Sequence, residues 1–85
     1  MIWAVLIANR AKRQLGRLSV ADRDLIDFAL DEIRDDPYSG DIKFLRGTNG
    51  VVRRRVGEWR ILYDVDRRRR LIMILGVQRR SSKTY

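Results

Sequence analysis

The sequence predicts an α+β fold in the order β-α-α-β-β-β, with a helical hairpin packed on one face of a sheet that ends in a three-stranded antiparallel meander. Three observations predict it. An unbroken apolar, β-branched and aromatic stretch opens the chain over residues 2–8. Residues 10–34 then repeat their apolar side chains at helical spacing. From residue 51 to residue 77 three strand-like runs follow, separated by two connections short enough only for hairpins.

The opening run, Ile-Trp-Ala-Val-Leu-Ile-Ala, has no polar face and reads as a strand buried on both sides. Asn9 offers an N-cap to a short helix over residues 10–18, where Ala11, Leu15 and Leu18 form one stripe and Gly16 weakens the turn. Ser19 caps the next helix, and Asp22, three residues on, gives a variant of the capping box. Leu25, Ile26, Ala29, Leu30 and Ile33 make its apolar face, while Asp22, Asp24, Asp27 and Asp31 mark the wet side. Asp36 before Pro37 ends it, because the residue preceding proline avoids helical backbone. Residues 38–49, with Gly40 and Gly47, read as a loop with room for one irregular turn. Residues 51–56, 59–65 and 71–77 are the meander strands, turned at Gly57-Glu58 and at 66–69. Residues 78–85 form a polar tail.

The 85 residues suit a single domain, 1–85, with one compact core. No cysteine is present, so there is no disulfide framework and no thiolate metal site, which suits a cytoplasmic setting. No histidine is present either, which removes the commonest general base and metal ligand. No cofactor or metal is expected. The longest apolar run is too short to span a bilayer, and no signal-peptide pattern precedes it, so no membrane partner is expected.

The net charge of +8 is unevenly spread. Residues 1–42 hold six basic and eight acidic residues, whereas residues 43–85 hold thirteen basic and three acidic. Sixteen of the basic residues are Arg and three are Lys. Arginine offers phosphate a planar, bidentate fork and stacks on bases, so this half reads as a binder of a phosphate polymer, with a solvated surface or a site for an acidic protein partner as the alternatives.

Arg53 and Arg55 lie two apart in a strand and share a face. Arg60, just past a tight turn, can approach them across the sheet. Arg79 and Arg80 follow the last strand. Their convergence on one sheet surface or rim would repel, and the missing counter-charge is then the ligand. The run 67–70 is the contrasting case, a turn of four arginines that reads as solvated or as an unspecific phosphate grip. Tyr85 places a phenol near these cations.

The pattern resembles the RelE/ParE superfamily of type II toxin–antitoxin toxins. The resemblance rests on Asp36-Pro37 with Gly40, on Lys43-Phe-Leu-Arg-Gly47, on the Arg-Val-Gly-x-aromatic-Arg-x-x-Tyr stretch within residues 53–65, and on residues 77–85. The first helix fits too, with Ser19 where the family carries proline. The match covers nearly the whole chain and looks closer to the RelE branch than to the ParE branch.

That resemblance implies a ribosome-dependent endoribonuclease that cuts messenger RNA and inhibits translation. Carried over by position, the catalytic set is Arg53, Arg60, Arg79 (or Arg80, since spacing to the tyrosine varies) and Tyr85. Lys43, Arg46, Arg55, Arg80 and Lys83 would grip RNA backbone. Two family positions depart: Val51 stands where a second basic residue is usual, and Gln78 where His or Lys is common. The implied partners are a cognate antitoxin, the ribosome with its mRNA, and operator DNA reached through the antitoxin. Two other readings share the charge or the fold: a ParE-like inhibitor of DNA gyrase without chemistry of its own, and a non-catalytic nucleic-acid-binding module.

Overall fold

A computed structural model of the chain describes residues 3–79. Two helices cover one face of a five-stranded mixed sheet and leave the other face open. The elements run β1 (Ala4–Ile7), α1 (Asn9–Gly16), α2 (Val20–Asp35), β2 (Ile42–Phe44), β3 (Val51–Val56), β4 (Trp59–Asp66) and β5 (Leu71–Arg79). The strand order is β1-β5-β4-β3-β2. The meander β3-β4-β5 is antiparallel as the two short connections require, and β1 lies parallel to β5.

Four details depart from the sequence reading. A three-residue strand, β2, occupies the stretch read as loop and pairs antiparallel with β3. It forms because the edge of β3 presents unpaired backbone groups, not because Ile-Lys-Phe carries a readable period. The first strand is a sheet edge with one open side: Leu6 remains 51% exposed, whereas Val5 and Ile7 pack inward. Ala8, not Asn9, is the N-cap of α1, with extended backbone and no side-chain hydrogen bond. On α2, Ile26, Ala29 and Ile33 are buried, but Leu25 is largely exposed, so the apolar face is narrower than its spacing suggests. Ser19 does cap α2, accepting the Asp22 N–H at 3.2 Å.

The core sits between helices and sheet. Ala11 and Leu15 of α1 and Ile26, Ala29 and Ile33 of α2 meet Val52, Ile61, Tyr63, Val65, Ile72, Ile74 and Val77. Alternation along the strands gives one buried face and one open face. A β-bulge interrupts this alternation. Leu62 pairs with Gly76 but Tyr63 pairs with Ile74, so β5 holds one extra residue, Leu75. Gln14 of α1 secures the segment beyond it, its side-chain oxygen accepting the Val77 N–H at 2.7 Å. The bulge shifts the parity of β5: Ile72 and Ile74 point to the helices, and so does Val77.

Candidate functional site

The open face gathers Lys43 of β2, Arg53 and Arg55 of β3 and Arg60 of β4. Lys43 pairs with Arg53, and Arg55 pairs with Arg60, which in turn faces Gln78 on β5. Neighbouring strands lie about 4.8 Å apart, so these side chains stand in two adjacent rows. Together with Asp41 and Ile42 they line a concave pocket of about 240 Å³. Arg55 and Arg60 sit directly opposite one another, an arrangement in which like charges destabilise a sheet. One counter-charge is present: the Arg55 Nε donates to Asp41 Oδ2 at 2.9 Å. Among the described residues Lys43, Arg53 and Arg60 have no ion-pair partner. The pocket thus carries unbalanced positive charge, which favours an anion there.

The middle residue of the Arg53-Arg54-Arg55 run is separated from its neighbours by strand alternation. Arg54 points to the helix side and is buried, its Nη2 donating to Glu32 of α2. Its Nε and Nη1 have no partner among the described residues. The guanidinium lies under Gly40, whose φ of +79° and lack of a side chain let the chain pass; a Cβ there would meet Arg54 Cζ at 2.7 Å. Tyr63 fixes the same connection by donating its hydroxyl to the Pro37 carbonyl at 2.6 Å. The segment entering β2 is therefore anchored from below, and it delivers Asp41 and Lys43 to the open face.

The structure brings Arg53, Arg55, Arg60 and Lys43 together. It does not bring Arg79 to them. Because of the bulge, Gln78 takes the open face beside Arg60, and Arg79 lies across from Trp59 on the helix side. There its guanidinium stacks over the Trp59 ring at 5.4 Å and pairs with Glu58 at 3.1 Å. Arg46 lies in the exposed β2–β3 connection and does not line the pocket. Arg80, Lys83 and Tyr85 lie outside the described residues. The turn 67–70 stands at the opposite end of β4 and β5. Asp66 accepts the backbone N–H groups of Arg68 and Arg69, and Arg70 stacks on Trp3 at 4.8 Å. Sequence reasoning passed over Asp41. The available signal was that it is the sole acid between Asp36 and Glu58, standing immediately before the basic strands.

Among the described residues no three His, Cys, Asp or Glu side chains converge as a metal site, and no helix is long and apolar enough to cross a membrane.

A family profile described as the ParE toxin of the type II toxin-antitoxin system, parDE, matches residues 5–83. Comparison with curated protein sequences finds no match. Among solved structures, a chain of the toxin-antitoxin complex RelBE2 from Mycobacterium tuberculosis is 25% identical, with 94% of this chain and 100% of that chain covered and a TM-score of 0.80. A chain of the archaeal RelE-RelB complex from Pyrococcus horikoshii OT3 is also 25% identical, over 96% of this chain and 99% of that chain, at a TM-score of 0.83. The isolated E. coli RelE toxin shares the fold at 16% identity and a TM-score of 0.81, over 96% of this chain and 88% of that chain.

Proposed function

The chain belongs to the ParE toxin family of type II toxin–antitoxin systems, and from that premise we propose that this toxin acts in the cytoplasm as an endoribonuclease on ribosome-bound messenger RNA. The observation that carries the reading is the open-face pocket, where Lys43, Arg53 and Arg60 converge without counter-ions among the described residues. An inhibitor that works by docking alone has no need of such a charge focus, whereas a phosphodiester passing to a doubly negative phosphorane does.

In this reading Arg53 and Arg60 hold the non-bridging oxygens of the scissile phosphate. Fixed cations placed where charge develops are usually the largest single catalytic contribution. Lys43 and Arg55 grip the flanking backbone, with Arg46, Arg80 and Lys83 extending the track. Holding the ribose 2′-OH in line with the leaving oxygen contributes further, and the ribosome supplies that strained message geometry. Tyr85 handles a proton or stacks on a base. Arg79, held by Glu58 and Trp59, anchors the start of the tail, so the third phosphate contact falls to Arg80. A cognate antitoxin neutralises the toxin, and the pair reaches operator DNA through the antitoxin; the M. tuberculosis and P. horikoshii relatives were solved as toxin–antitoxin complexes.

The family description favours a second reading, a gyrase inhibitor of the ParE kind. Primer extension on message from a reconstituted translation system, run beside a gyrase supercoiling assay, separates the two. Arg53→Ala and Arg60→Ala are each expected to slow cleavage by about 10²–10³-fold, with Tyr85→Phe also impaired and supercoiling untouched by any of the proteins. Cleavage at the parent rate by Arg60→Ala and Tyr85→Phe, or inhibition of supercoiling by the parent, overturns the nuclease assignment.

A further inference from the structure

Attack by the 2′-OH needs an acceptor for its proton, and the pocket's cations are poor candidates. Arginine stays protonated in proteins, and the chain has no histidine. Among the described residues Asp41 is the one carboxylate lining the pocket, which it shares with Lys43 of β2, Arg53 and Arg55 of β3 and Arg60 of β4. The other open-face carboxylates, Asp64 and Asp66, line a separate depression with Asn49 and Arg67. Asp41 is held at two points: its carbonyl accepts the Arg55 N–H at 2.9 Å, and its Oδ2 accepts the Arg55 Nε–H at 2.9 Å. Its Oδ1 carries no hydrogen bond among the described residues. One residue earlier, Gly40 is seated on Arg54, which Glu32 ties to α2, so the carboxylate is presented from a braced segment.

Resting on the nuclease reading above, we infer that Asp41 is the general base of the cleavage step. The 2′-O–H bond breaks and its proton passes to the Asp41 carboxylate. The freed electron pair forms the new 2′-O–P bond, and the P–O5′ bond breaks with its pair leaving on the 5′ oxygen, which takes a proton from water or from the Tyr85 hydroxyl. The products are a 2′,3′-cyclic phosphate and a 5′-hydroxyl end. Asp41 then returns its proton to solvent, to which it is openly exposed. Arg55, which donates to Oδ2, is the positioning residue that aims it.

The test uses full-length toxin, translating ribosomes and defined message. Asp41→Asn is expected to cut about 10²–10⁴-fold more slowly than the parent, while still binding the ribosome and keeping its thermal midpoint. Asp41→Ala is expected to regain cleavage in proportion to added imidazole, with a rate that follows the neutral imidazole fraction. A carboxylate that merely balances Arg55 would give no such rescue. If Asp41→Asn cuts within about threefold of an active parent, or if imidazole restores nothing to Asp41→Ala, the inference falls while the nuclease reading stands. If the parent itself leaves message intact, both fall.

Discussion

Tyr63 shows how one side chain couples the core to the site. It is fully buried, yet its hydroxyl is satisfied by the Pro37 carbonyl at the start of the segment that carries Asp41. Burial pushes its pKa up from 10.0 to about 12; the Arg54 charge pulls it down, and Asp36 and Tyr38 push it further up. Because the folded value lies above the unfolded one, its contribution to stability is complete below about pH 10. It is lost as pH rises through 12. Urea midpoints followed by tryptophan fluorescence are expected to fall between pH 10 and pH 12 in the parent. Tyr63→Phe is expected to lose about 1 kcal/mol at pH 8, with a shallower alkaline decline. The aromatic and β-branched pattern of residues 59–65 made Tyr63 legible as a strand residue. Its partner, 26 positions away, was not, since no local pattern records which carbonyl a buried hydroxyl will meet.

Among the elements, β2 is the one whose existence depends most on its surroundings. Three residues of edge strand are marginal alone. Here β2 is kept by the β3 ladder and by the Glu32–Arg54 pair beneath Gly40. Gly40→Ala forces a side chain onto a left-handed backbone and against the Arg54 guanidinium. It is expected to cost about 1–3 kcal/mol, with amide exchange rising first at Arg55, whose N–H is held by the Asp41 carbonyl. Full protection of that amide in Gly40→Ala, equal to the parent's, would sink the idea that this brace holds the site. The helices were readable because their spacing and the Ser19 cap are local signals. The β2 strand was not readable, because its pairing partner lies in another element.

At the scale of the whole molecule, the two concentrations of positive charge among the described residues are the open-face pocket and the distal turn 67–70. The four arginines of that turn are engaged locally with Asp66 and Trp3, or solvated. The proposed phosphate site is therefore expected to govern how salt affects binding. For a single-stranded message carrying a 2′-deoxy block at the cleavage position, Arg53→Ala and Arg60→Ala are each expected to flatten the plot of log affinity against log salt by about 0.7, the share of one phosphate contact. Arg68→Ala is expected to leave the slope unchanged. Fluorescence anisotropy across a salt series measures this, and an equal loss from Arg68→Ala would mean that binding tracks diffuse charge.

Local pattern by itself determined the order of helices and meander strands, the cap at Ser19, most of the buried residues, and the grouping of Arg53, Arg55 and Arg60 on one face. These follow from periods of 3.6 and 2 and from hairpin length, all of them short-range properties of the chain. The tertiary structure alone decided that β1 lies beside β5, that β2 exists, that Asp41 enters the cationic pocket, and that Arg79 leaves it. The last of these has the plainest cause. A single extra residue at Leu75 reverses the parity of β5, and Gln14, 63 positions away, holds the Val77 N–H beyond it. Which way a side chain points past a bulge is fixed by contacts between distant elements, so no reading of the strand alone could have turned Arg79 toward Trp59.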